Sequence, residues 1–388
     1  MKLGPLEPYD PNNPDHKNPE KYIIIYDSTG RRPESITITG SFEKDAERRD
    51  FTINAMGIDR DGNIIDYFDG TRDIKDKVLR TVGNPKERFG EDYLRMLRAA
   101  RFSAKLGFDI EPETKQAAKE LSSNVKKLAP ERIKDEIFKA ASDSGDRFAK
   151  FLVELDDMGI LELILPEVTK LKEFEHNLEH HPEGGVWDHT LAALRANKVA
   201  DPLVNLAILL HDVGKGVTFD RRPDGTPTYF GHAEEGVKLV ETIADRLRMS
   251  NKEKESLLYA VANHMRFHLI LGMKPSKIAK LVNDDNWDVL VAVARADEFS
   301  RGHKFMTDED FEAIVNKAIE IKEKWGSKTV DKIMKVVDGK RVMELTGLKP
   351  GKEIGKIIKK VTELVIDNNI TDPEVIDELI LRVHRGEI

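Results

Sequence analysis

The sequence predicts a mainly α-helical, multi-domain chain with a small N-terminal α+β sheet, and three observations lead there. Its 388 residues exceed one ordinary core, because domains run about 100 to 200 residues. Short β-type runs crowd into the first part of the chain and then stop near Gly90. From there apolar residues recur at helical spacing almost to the C-terminus.

The elements follow in order. Residues 4–19, "GPLEPYDPNNPDHKNP", hold five prolines among Asp and Asn, which neither continue a helix nor donate to a sheet ladder, so residues 1–20 read as a disordered arm. "KYIIIY", "SITITG", "FTINAMGI", "NIIDYF" and "VLRTV" read as strands separated by the turn signals "STGRRP" and "RDGN". Leu94, Leu97, Phe102 and Leu106 mark one helix, "PERIKDEIFKAAS" starts another behind Pro130, and "DPLVNLAILLHD" begins behind Asp201-Pro202. There is no repeat of fixed period.

Composition excludes several classes. No apolar stretch approaches the ~20 residues of a membrane span, the N-terminus lacks a signal-peptide layout, and with no cysteine a disulfide framework is ruled out. The expected compartment is the cytoplasm. A net charge of −8 argues against nonspecific coating of nucleic acid while leaving room for a local basic patch.

The histidines carry the chemistry. Nine of the eleven lie between His176 and His303. "VWDHT" brings His189, "LLHDVGK" brings His211 and Asp212, "GHAEEG" His232, "ANHMRFH" His264 and His268, and "RADEF" Asp297, each inside or beside a helix-like segment. One His-Asp dipeptide alone reads as a polar helix end stopped by Gly214. Six imidazole and carboxylate ligands suit divalent Mn, Fe, Co, Ni or Zn and could hold two ions, a clamp for both oxygens of a phosphoryl transfer. His268 lies four residues after His264, on the same face, and His176, His180 and His181 in "EHNLEHHPEGG" read as a solvated loop or as substrate contacts.

Two further stretches read as nucleotide-directed or as ion-paired surface. In "ERRDFTINAM", Arg49 offers a planar cation for phosphate and Asp50 a carboxylate for a metal or ribose hydroxyl. In "FGEDYLRMLRAARF", Asp92 and Arg95 are three apart, with Arg98 and Arg101 on the same side; an Asp accepting from an exocyclic amine beside an Arg donor would read cytosine or adenine. Lys349, Lys352, Lys356, Lys359 and Lys360 in the tail fall at helical spacing, either a solvated face or a contact for RNA phosphates.

Taken together the motifs resemble two known families. His189, His211-Asp212 and Asp297 are similar to the HD superfamily of metal-dependent phosphohydrolases, with His232 and His264 like its two-metal members. "RRDFTINAM", "DYFDGTRDI", "VGNPKERFGEDYLRMLRAARF" and "LAPERIKDEI" resemble, in that order, class II tRNA nucleotidyltransferases, the CCA-adding enzymes and their poly(A) polymerase relatives, in the bacterial branch with an HD domain.

The resemblance implies a layout of residues 21–83 as a partial nucleotidyltransferase head, 84–165 as a helical neck, 166–305 as an HD domain and 306–388 as a helical tail. It also implies metal at His189, His211, Asp212 and Asp297, extended by His232 and His264, with Lys215 holding a phosphate oxygen. Arg49 and Asp50 would contact ribose and triphosphate, and Asp92 and Arg95 would read the base, supported by Glu91 and Arg98. Implied ligands are Mn, Ni, Co or Mg at the HD site, the tRNA 3′ end, and ATP and CTP with Mg.

The family's Gly-rich "GGxVRD" turn and Asp-x-Asp strand have no counterpart, since Asp10 and Asp15 sit in the proline-rich arm at the wrong spacing. Three expectations follow: an HD phosphohydrolase acting on tRNA 3′ ends or 2′,3′-cyclic phosphates, the larger piece of a CCA-adding enzyme completed by another polypeptide, or a noncatalytic tRNA-binding protein.

Overall fold

The computed structural model describes residues 21–26, 33–39, 41–59, 61–175, 184–301, 306–326, 329–330, 333 and 336–388. The proline-rich arm and His176, His180 and His181 lie outside these. The chain divides into two compact units, one of Met1–Glu173 with Ala200–Asn205 and Thr242–Ser250, the other of Phe174–Val199, Leu206–Glu241 and Asn251–Ile388. Helix dominates both, as the periodicity predicts, and no helix among the described residues is long and apolar enough to cross a membrane.

In the first unit the expected single sheet is instead a set of two-stranded ladders. Lys21–Tyr26 pairs antiparallel with Pro33–Thr39, Met56–Ile58 antiparallel with Ile64–Asp66, and Val78–Leu79 parallel with Asp109–Ile110. "FTINAMGI" departs furthest from its predicted strand, because Thr52–Asn54 forms a 3-10 turn between an extended Phe51, bridged to Thr81, and the strand Met56–Ile58. The cause is Asp50, whose Oδ1 accepts from the Phe51 amide at 2.9 Å and from Asn54 Nδ2 at 3.0 Å. Such a local side-chain bond competes directly with ladder pairing.

The helices begin where their caps dictate. The Asn84 side chain accepts from the amides of Lys86 and Glu87, with Pro85 at the first helical position, and so starts Pro85–Glu91. Leu94–Leu106 closes on Gly107 in the left-handed region at φ 71°. It buries Leu94, Met96, Leu97 and Ala100 and packs against Pro130–Ala141 and Gly145–Asp157. In the second unit, Val186–Ala196 and Asn251–Phe267 both pack on Trp287–Ser300. A core running from Phe267, Trp287 and Phe311 to Val361 and Ile380 continues through the C-terminal helices.

Within the first unit's helices lies a buried carboxylate. Glu136 is 1% exposed, held by Arg101 Nε at 2.6 Å and Lys139 Nζ at 2.9 Å. Burial pushes its pKa up, but Lys139 and Arg101 outweigh that and hold it below the usual carboxylate range. A depressed carboxylate pKa adds stability above the unfolded-state value and loses it as pH falls through the folded one. Glu136→Gln is therefore expected to cost about 3 kcal/mol near neutral pH by stranding Arg101. In thermal melts the gap to the parent should narrow below roughly pH 4.

Candidate metal centre

The apolar helix Pro202–Leu210 starts on Asp201, whose Oδ1 accepts from the Leu203 and Val204 amides at 2.8 and 3.0 Å. It stops at Leu210 and leaves His211 and Asp212 in the following turn, both buried. Gly214 lets this turn pack closely. A Cβ there would lie 2.0 Å from the His232 carbonyl oxygen and 2.6 Å from the Gly236 amide nitrogen, so the turn seats directly on the start of helix His232–Arg246. Gly236 repeats the device one layer on, its Cβ position 3.0 Å from Val261 on the helix that carries His264. Two glycines thus let three backbones approach closely enough for their histidines to converge.

Asp212 is the meeting point. Its Oδ2 lies 3.2 Å from His211 Nε2, 3.7 Å from His189 Nε2 and 2.6 Å from Lys215 Nζ. Its Oδ1 lies 3.3 Å from His232 Nε2 and 3.7 Å from His264 Nε2. Asp297 Oδ1 joins the first group, 3.1 Å from His189 Nε2 and 4.0 Å from His211 Nε2. Five of the six sequence-predicted ligands therefore form two clusters sharing Asp212, with Asp297 beside the first.

The ring orientations follow from the other nitrogens. Nδ1 of His211, His232 and His264 each sits 2.7 to 2.9 Å from the backbone carbonyl three residues earlier, of Ile208, Tyr229 and Val261. A carbonyl only accepts, so these nitrogens carry the proton and Nε2 of a neutral ring offers a lone pair to the centre. His189 Nδ1 faces Ser300 Oγ at 3.3 Å, and that hydroxyl donates to the Asp297 carbonyl, so it too is met by an acceptor. His232 Nε2 and His264 Nε2 stand only 3.0 Å apart. Burial, then the neighbouring His211 charge, pushes His264 down to about 3, so that ring is neutral.

Charge balance tests whether a cation fits. Burial pushes Asp212 and Asp297 up, yet the surrounding histidines hold both well below the usual carboxylate range, joined at Asp212 by Lys215. Burial lowers the His211 pKa, but Asp212 beside it wins and raises it. Among the described residues no lysine or arginine pairs with Asp297. A buried charge left uncompensated costs several kcal/mol. His211 Nε2 is buried without a satisfactory hydrogen bond. Convergent lone pairs, a mixed imidazole and carboxylate donor set and excess negative charge all fit divalent cations.

Asp212, Lys215, His232 and Asp297 line a cleft of about 840 Å³. Tyr229, its ring 5.6 Å from Lys215 Nζ, and Glu298, paired with Arg301, join them there. The sequence reading missed Tyr229, Glu298 and Ser300, which act through neighbours rather than by a motif. His268 stands further out, 3.9 Å from Asp297 Oδ2 and 3.8 Å from Glu298 Oε2.

The residues that the sequence reads as nucleotide-directed or as ion-paired surface gather in the first unit. Arg95 donates to Glu91 Oε2 at 2.5 Å, to the Arg88 carbonyl at 2.8 Å and to the Arg48 carbonyl at 3.1 Å. Arg98 reaches Asp50 Oδ2 at 2.6 Å, whereas Arg49 is half-exposed and pairs with Asp45, not Asp50. Asp92 Oδ2 is held at 2.8 Å by Arg132, whose only sequence signal was membership in "LAPERIKDEI", forty residues away. Lys349, Lys352, Lys356, Lys359 and Lys360 are exposed, the last four opposite Ile354, Ile357 and Val361 on helix Lys352–Asp367.

Fold and site define a class: a mainly helical chain with a nucleotidyltransferase-type head and neck and an HD-type centre. Residues 21–80 match the family model for the Poly A polymerase head domain, 107–172 that for the probable RNA and SrmB-binding site of polymerase A, and 178–302 that for the HD domain. A multifunctional CCA protein of Vibrio campbellii is 37% identical over 294 residues, 72% of this chain and 68% of that one. One of Legionella pneumophila is 35% identical over 256 residues, 64% of this chain and 60% of that one. The chain belongs to this family of CCA-adding nucleotidyltransferases that carry an HD domain.

A crystal structure of the Bacillus stearothermophilus CCA-adding enzyme in complex with CTP shares the fold at TM-score 0.66 and 21% identity, covering 91% of this chain and 78% of that one. An apo form of a CCA-adding enzyme shares it at 0.54 and 17%, covering 95% and 76%. A separate polypeptide supplying head segments finds no support in these relatives.

Gly214→Ala tests the close approach that brings His232 to Asp212. The added methyl must drive the turn off the next helix, at a cost of roughly 1 to 3 kcal/mol in unfolding free energy. Denaturant melts should show that loss, and calorimetric titration with Mn²⁺ should show weakened binding.

Proposed function

We propose that this chain hydrolyses phosphoesters of nucleotides or RNA 3′ ends, among them 2′,3′-cyclic phosphates, at its HD centre. The observation that carries this reading is the division of the two Asp212 oxygens between two histidine clusters, with Lys215 Nζ 2.6 Å from one of them. Mn, Ni, Co or Mg bound by His189, His211, Asp212 and Asp297, and by His232 and His264, would supply Lewis acidity toward a phosphoryl oxygen. The residues do the rest. Backbone carbonyls lock the rings of His211, His232 and His264, and the Ser300 hydroxyl meets that of His189, which removes the entropy of arranging the donors. Lys215, almost buried, keeps its ammonium at the cleft floor to hold a phosphate oxygen through a charge-assisted hydrogen bond. Tyr229 stays protonated across the physiological range, its pKa pushed up to about 12 by burial and then by Asp212 and Glu175.

The proposed layout is a head over 21–83, a neck over 84–165, the HD domain over 166–305 and a tail over 306–388 whose lysines Lys349, Lys352, Lys356 and Lys359 face tRNA phosphates. A second reading concerns the neck. Asp92 and Arg95, with Glu91 and Arg98 in support and Arg49 and Asp50 beside them, recognise ATP and CTP; the fixing of Asp92 by Arg132 and of Arg95 by Glu91 favours this.

Asp212→Asn should lower Mn²⁺-dependent hydrolysis of a 2′,3′-cyclic nucleotide at least 10²-fold, as loss of a metal-organising ligand does; undiminished turnover would sink the HD assignment. For the neck, Arg132→Ala should weaken CTP binding about tenfold, the size of one charge-assisted hydrogen bond. Equilibrium dialysis with labelled CTP reads it, and unchanged affinity would remove Arg132 from base recognition.

A further inference from the structure

We infer that Phe230, at the rim of the cleft lined by Asp212, His232 and Asp297, is a stacking platform for the nucleobase of the phosphoester substrate, so that the centre selects base-bearing substrates. The inference rests on the phosphohydrolase reading above and names what that site recognises beyond phosphate.

The turn "TYFGH" supplies the geometry. Tyr229 offers its carbonyl to the His232 amide at 3.2 Å and to His232 Nδ1 at 2.9 Å, while its ring lies 5.6 Å from Lys215 Nζ. Tyr229 thus faces the centre. Gly231, in the left-handed region at φ 80°, completes the turn. Phe230 between them is 94% exposed, yet lines the same cleft as Asp212, Lys215 and Asp297. Only Gly231 separates it from His232, so the two Cα atoms are at most ~7 Å apart along the chain.

One exposed phenylalanine is unremarkable by itself. Here the lining of the same cleft adds Met265, 49% exposed, and Leu269, 62% exposed, from the helix that carries His264 and the turn after it. A cleft with metal ligands and Lys215 on its floor and three exposed apolar side chains at its mouth is amphipathic in the same sense as a nucleotide. Phosphate belongs below and a flat apolar ring above. A phenyl face accepts any base, so the platform confers selectivity for a nucleoside over a bare sugar phosphate without choosing among bases.

The test compares the full chain with Phe230→Ala and Phe230→Trp in the presence of Mn²⁺. Substrates are adenosine 2′,3′-cyclic phosphate, a short oligoribonucleotide ending in a 2′,3′-cyclic phosphate, and base-free ribose 2,3-cyclic phosphate. Phe230→Ala should lower the ratio of kcat/KM for the adenosine substrate over the base-free one roughly tenfold, and Phe230→Trp should keep it. Calorimetric binding of adenosine 2′-monophosphate against ribose phosphate reads the same ratio without turnover. If the parent chain hydrolyses none of the substrates, the phosphohydrolase reading fails while the binding ratio still decides the platform. An unchanged ratio in Phe230→Ala overturns the inference. A loss confined to the mononucleotide identifies free nucleotides as the source of the base, and a loss shared by the oligonucleotide identifies RNA ends.

Discussion

The centre depends on one carboxylate serving two sides. Asp212 turns Oδ2 toward His211 and His189 and Oδ1 toward His232 and His264. Without it the clusters would share no anion, and the His232 and His264 lone pairs, 3.0 Å apart, would only repel. The backbone is built to this demand. His211 comes from the turn after one helix and His232 from the start of another, and the two segments pass within a distance that a single methyl at Gly214 would obstruct. The apolar run Leu206 to Leu210, almost completely buried, is what makes so polar a cluster tolerable, because hydrophobic packing anchors the turn that carries it.

The ligand types and their order were legible in the sequence because imidazoles beside acids at helical positions are chemically distinctive. What those residues do with each atom was not. Fixing the proton on Nδ1 of His211, His232 and His264 requires a carbonyl three residues back, and every helix or turn contains one, so no residue code marks it. The sharing of Asp212 depends on the approach of segments far apart in the chain. Helix starts at Pro130 and Pro202 were readable, since the fixed φ of proline is local.

The head was legible in kind but not in detail. Alternating apolar residues in "FTINAM" promised a strand, and Thr52–Asn54 turns instead, with the Asp50 side chain holding the Phe51 amide and the Asn54 side chain on either side of it. Arg132 was hidden for a different reason. Its partner Asp92 lies forty residues back, and nothing in a run of charged residues says which pairs are made across helices rather than along one. The tail lysines show the same limit, because helical spacing finds the exposed face opposite Ile354 and Ile357 but carries no information about what meets it.

The neck and the metal centre handle charge in opposite ways, and that difference bears on how each meets a ligand. In the neck the carboxylates already have cationic partners: Asp92 has Arg132, Asp50 has Arg98, and Glu91 has Arg88 and Arg95. A carboxylate offers about four acceptor positions, and Asp92 uses one for the Leu94 amide and one for Arg132. Further donors can therefore bind without displacing the arginine, and the side chain stays where it is. The candidate metal centre buries Asp212 and leaves Asp297 little exposed, and among the described residues only Asp212 pairs with a lysine, so the remaining charge is left to protons or to a bound cation. The neck carboxylates are paired before any ligand arrives, whereas a cation held at the metal centre would complete its charge balance.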